Sequence, residues 1–108
     1  MDARFEIAKD QVSQIMQLPR ELIFSNTRQQ EFVDARRYVI AYLVFVHGYG
    51  FSRIGRLIKR HPSTIHYTYP VHQNMMESNS KYAETFGLII RRCNALLIKG
   101  AVWQQKKQ

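Results

Sequence analysis

Hydrophobic positions along this chain recur at helical spacing, and no strand-like alternation persists beyond a few residues. Over 3–17, Ile7, Ala8, Val12, Ile15 and Met16 share one face with polar residues between them. Leu18-Pro19 closes that segment. Pro19 suits the first turn of a short second helix over "PRELIF", because its missing N–H would be unpaired there in any case. "SNTR" at 25–28 offers cap chemistry for the next helix. That helix is expected over 29–47, with Phe32, Val33, Ala35, Val39, Ile40, Leu43 and Val46 on a wide apolar face. Its second half is apolar almost all round, which places it at the centre of the domain. "GYG" at 48–50 stops it.

Residues 51–58 form a short amphipathic segment, with Phe51, Ile54, Leu57 and Ile58 opposite Arg53 and Arg56. A turn at 59–61 follows. Pro62 opens a further helix, and Pro70 is expected to end or kink it, since an internal proline removes a hydrogen bond and clashes one turn back. The last helix is expected over 80–103, with Tyr82, Phe86, Ile89, Ile90, Cys93, Leu96 and Leu97 as its stripe. The pattern therefore predicts an all-α compact bundle of about six helices. It forms a single domain over 1–103 with a frayed basic tail at 104–108.

Composition supports a packed core: 45% of the 108 residues are apolar, with only 5 glycines and 3 prolines. Charge adds a direction. A net +8 and a pI near 10 imply an acidic partner, such as nucleic acid, an anionic membrane or an acidic protein. The longest apolar run, 38–46, is too short to span a bilayer, and no signal-like segment opens the chain. The single cysteine, Cys93, excludes an internal disulfide and fits a reducing compartment. A soluble intracellular protein is expected.

Catalysis finds little support. The eight acids form no pair suited to acid–base or two-metal chemistry, and Cys93 has no histidine near it in sequence. His61, His66 and His72 are spaced five and six apart, which does not put two rings on one helical face. His47 lies at a helix end. Neither a metal site nor a cofactor is expected. Tyr38, Tyr42, Phe45, Tyr49 and Phe51 fall at core spacing, whereas Tyr67 and Tyr69 suit either surface contact or packing.

The chemistry concentrates in "FSRIGRLIKRHPSTIHY" (51–67). Two short helices joined by a tight turn, the second with a proline start, a hydroxyl pair and a basic flank, describe a helix-turn-helix. Unpaired N–H groups in the first turn of the second helix would attract phosphate. Ser63 and Thr64 are short enough to approach a phosphate or a base edge, with His66 and Tyr67 following along the exposed side.

The stretch "VSQIMQLPRELIFSNTRQQEFVDARRYVIAYLVFVHGYGFSRIGRLI", continued by "KRHPSTIH", resembles the C-terminal DNA-binding domain of the bacterial replication initiator DnaA. The resemblance spans about 7–73. It implies a fold of the Trp-repressor/DnaA-domain kind and double-stranded DNA as partner. By position, it implies that Arg28 reaches into a minor groove and that Arg36 is a basic contact. It also implies that Phe51 and Ser52 touch the duplex, and that Arg60, His61, Pro62, Ser63 and Thr64 read bases and hold phosphate. Arg53, Arg56 and Lys59 would neutralise the flanking backbone. The sequence departs from the family pattern at His61-Pro62, where the family has Asp-His. Its turn is one residue shorter, Pro70 falls where the family helix continues, and no ATPase domain or GxxxxGK[ST] loop is present. Replication-box recognition, transcriptional or mobile-element regulation, and a protein-interaction module that kept only the fold all stand as readings. A cytoplasmic, nucleoid-associated protein is expected, with a homodimer or a larger replication or regulatory partner as company.

Overall fold

The computed structural model describes residues 2–107, with side chains through Lys99. Five α-helices carry the chain: α1 (Ala3–Met16), α2 (Gln30–Ala41), α3 (Phe51–Ile58), α4 (Ser63–Ser78) and α5 (Ser80–Lys107). No strand occurs among the described residues. The radius of gyration is 14.0 Å, close to the roughly 13 Å expected of a compact chain of this length.

Helix α2 lies at the centre, as its apolar pattern requires. It packs against α1 on one side and α4 on another, while α5 closes the bundle against α1 and α4. Ala35, Val39, Tyr42, Leu43, Ile54, Ile65, Ile89 and Cys93 form one continuous core. Burial there pushes the Cys93 thiol up to about 12, so it packs as a small apolar group. Tyr42, just beyond the end of α2, and Asn94 of α5 share a hydroxyl–amide hydrogen bond of 2.6 Å.

Several expectations change. "PRELIF" makes only a 3-10 turn, Arg20–Leu22, because the Ser25 N–H already closes onto the Leu22 carbonyl at 3.1 Å. The count is therefore five α-helices. The hydroxyls of "SNTR" do not cap α2. Ser25 Oγ and Thr27 Oγ1 accept the N–H groups of Thr27 and Gln29 instead, and so organise the loop. The long central helix is not uniform: after Ala41 it widens into a π-helical segment, Tyr42–Val46. There Tyr42 and Leu43 are fully buried while Phe45 is 43% exposed, so Phe45 is not a core residue.

Helix α4 runs on through Pro70 to Ser78. Ile65 and His72 are buried on either side of the proline, and this anchorage on both flanks offsets the one bond that Pro70 removes. Asn79 then separates α4 from α5. Its side chain accepts the Tyr82 N–H at 3.0 Å, a cap that starts α5 directly. The buried stripe of α5 ends at Cys93, since Leu96 is exposed. The frayed tail expected at 104–108 falls beyond the described side chains.

Candidate nucleic-acid interface

Helix α3 buries Ile54 and Ile58 and leaves Ser52, Arg53 and Arg56 exposed. It ends at Lys59, whose left-handed backbone (φ 58°) reverses the chain. The reversal is tight: the Arg60 N–H donates to the Gly55 carbonyl at 2.9 Å. A Cβ at position 55 would lie 2.7 Å from the Arg60 carbonyl oxygen, so only glycine permits this approach.

The start of α4 differs from the sequence expectation. Its first N–H groups are not free. The Ser63 N–H donates to His61 Nδ1 at 3.1 Å, and those of Thr64 and Ile65 go to the carbonyls of His61 and Pro62 at 3.0 Å. Ser63 Oγ also pairs with His61 Nδ1 at 2.9 Å. His61 thus serves as a side-chain cap, a task usually held by Ser, Asp or Asn. Accepting at Nδ1 fixes its proton on Nε2. What α4 offers outward is its exposed face, which carries Ser63, Thr64, His66 and Tyr67, the last 78% exposed. Tyr69 instead stacks on Phe45 at 5.1 Å. Phe51 is half-buried and takes His66 edge-on at 4.5 Å, so its ring braces α4.

The cations fall into three groups. Arg56 and Lys59 are exposed and make no ion pair among the described residues. Arg28 is exposed on the loop before α2. Arg53 is engaged: it lies over the Tyr49 ring at 3.7 Å and donates to Asp2 at 3.1 Å. Burial alone would raise the Asp2 pKa. Hydrogen bonds from the Phe5 N–H, the Tyr49 hydroxyl and Arg53 outweigh that, and hold the carboxyl below its ordinary value.

Arg36 and Arg60, which the sequence suggests as DNA contacts, send their N–H groups inward. Arg36 Nε donates to the Ile23 carbonyl at 2.6 Å, and its terminal nitrogen donates to Thr27. Arg60 donates to the Ser25 carbonyl at 2.9 Å and sits 3.5 Å from that of Phe24. Burial first, and the neighbouring Arg60 second, lower the pKa of Arg36. Both arginines border a groove between α2 and α4 that Thr64 and Tyr67 also line.

The three histidines are not gathered. His61 caps α4, His66 rests on Phe51, and His72 is buried against Phe86 with Nδ1 2.8 Å from the Tyr82 hydroxyl. Among the described residues no group of three or more His, Cys, Asp or Glu is placed to hold a metal.

No Asp or Glu occurs between Asp34 and Glu77 in the sequence. Arg36, Arg37, Arg53, Arg56, Lys59 and Arg60 all fall inside that interval, and only Arg37 pairs with an acid close by in sequence, Asp34 at 2.9 Å. Comparison with family models, with curated proteins and with solved structures gives no match to this chain.

Proposed function

We propose that the chain is a double-stranded DNA-binding module in which α3 and α4 act as a helix-turn-helix and α4 enters the major groove. The observation that carries this reading is the surface of α3, the turn and the first half of α4. It has a glycine-closed reversal, an exposed polar face and no carboxylate anywhere in its sequence. Thr64, His66 and Tyr67 are the side chains placed to meet base edges, and Ser52 and Ser63 suit phosphate. Arg28, Arg56 and Lys59 supply the free charge. The resemblance to the DnaA domain makes replication-box recognition the first specificity to try, with a cytoplasmic, nucleoid-associated setting. No helix of the described residues is long and apolar enough to cross a membrane.

Fluorescence anisotropy with a DnaA-box duplex and a random duplex pool, each at two salt concentrations, tests the proposal. Three phosphate contacts would give a log–log salt slope of about −3. Tighter binding to the box supports initiator-type readout. Equal, salt-sensitive binding keeps the module and discards that specificity. Absence of binding at low salt rejects the reading.

A second reading has its own observation. Leu88 and Leu96 are exposed about two turns apart on α5, and such an apolar pair suits a protein partner or a second copy. Sedimentation velocity of the free protein checks it: a concentration-independent monomer would remove self-association.

A further inference from the structure

The loop that carries Arg28 has little structure of its own. Its internal hydrogen bonds are local: Ser25 Oγ to the Leu22 carbonyl at 2.7 Å, and the two N–H groups taken by Ser25 and Thr27. Such a loop cannot by itself hold a cation in a fixed direction, because each free backbone residue costs about 1–2 kcal/mol of entropy to order. Yet the carbonyls of Ile23, Ser25 and Thr27 are all engaged, by guanidinium groups that come from elsewhere. Arg36 reaches them from α2 and Arg60 from the turn ahead of α4, 35 residues beyond Ser25 in sequence. Arg36 uses the fork of its guanidinium, Nε on one carbonyl and a terminal nitrogen on another, whereas Arg60 reaches the loop through a single terminal nitrogen at the end of its long stem.

We infer that Arg36 and Arg60 are positioning residues that lock the 23–28 loop to α2 and to the α3–α4 turn, and thereby aim Arg28 at the duplex that α4 engages. The inference rests on the DNA-binding reading for its functional half and on the carbonyl contacts for its structural half. It reassigns Arg60 from a charge that touches phosphate to a strut that acts through Arg28. Arg60→Lys separates these roles, since lysine keeps the charge while its stem is one atom shorter and its ammonium falls short of the Ser25 carbonyl.

The experiment compares wild type, Arg28→Ala, Arg60→Lys and the double variant on a random duplex pool at low salt, with thermal melting as a check on folding. Arg60→Lys should weaken binding about as much as Arg28→Ala, roughly tenfold for one lost contact. The double variant should be no weaker than Arg28→Ala alone. Wild-type affinity for Arg60→Lys, or losses that multiply in the double variant, would overturn the inference. Limited trypsin digestion supplies a readout that needs no DNA. Cleavage after Arg28 should be faster in Arg60→Lys than in wild type, and an equal rate would overturn the tether. If wild type binds no duplex, the DNA reading and the functional half fall together, while faster cleavage still supports the tether.

Discussion

The α1 flank and the α3–α4 flank treat charge in opposite ways. On α1, Glu6 holds both Lys9 and Arg20 at 2.9 and 2.8 Å, Asp10 also meets Arg20, and Asp2 caps the helix while it binds Arg53. Three of the chain's eight acids are spent within nine residues, each on a cation or a cap. The α3–α4 flank has no acid to spend. Apart from Arg53, which Asp2 of the other flank holds, its cations face solvent or lie against backbone carbonyls. Surface ion pairs of the first kind contribute little to stability, but they leave that face electrically quiet. The second face is left with a positive field for an external anion to neutralise. Net charge alone does not show this, because +8 could be spread evenly; the placement of acids is what divides the surface.

The largest expected effect tests whether the junction between the flanks is as dry as it looks. His72, buried against α5, has its pKa lowered to about 4, chiefly by burial and then by Arg37. Its folded value lies below the unfolded one, so the unfolded chain binds the extra proton. Stability should be intact above about pH 6.5 and should fall as pH drops towards 4, by about 3 kcal/mol in all. Denaturant unfolding across that range measures it, and a His72→Phe variant should flatten the dependence. Next, Arg56→Glu with Lys59→Glu brings acid to the quiet-less face. Duplex affinity at low salt should fall about a hundredfold with little change in melting temperature, since neither side chain is buried. Gly55→Ala should cost about 1–3 kcal/mol and lower the melting temperature, because the new Cβ meets backbone that cannot move freely. Smallest, Asp2→Ala should cost about 1 kcal/mol through the lost cap, and should free Arg53 without weakening DNA binding. A loss of affinity in that variant would show that the two flanks are not independent.

Much of the fold was legible because it depends on period and punctuation. Helix α3 begins and ends where the stripe of Phe51, Ile54 and Ile58 does, and glycines precede it. The central place of α2 followed from its apolar breadth. Pro70 misled because its cost is local, whereas the anchors that outweigh it, Ile65 and His72, act through tertiary packing. The π-helical widening left no periodic trace, since a run of five apolar residues reads alike in either geometry. At the candidate site, Ser63, Thr64, His66 and Tyr67 were readable as an exposed face of α4. The roles of Arg36 and Arg60 were not, because their partners are carbonyls in an irregular loop that no side-chain pattern announces. His61 was hidden by convention: the hydroxyls beside it are the commoner caps.

The π-helical segment Tyr42–Val46 also bears on an angle. Each helical residue turns the chain by about 100°, and a π turn holds one residue more than an α turn. Deleting a single residue there would restore a plain α-helix with little rotation downstream, because five residues at the wider pitch sweep about the same angle as four at α pitch. Helices α3 and α4 follow immediately, whereas Arg36 and the 23–28 loop lie upstream. This one segment is therefore a buffer between the two halves of the proposed interface: it absorbs the loss of one residue, whereas the loss of a second would turn everything downstream by about 100° with every contact residue still in the sequence.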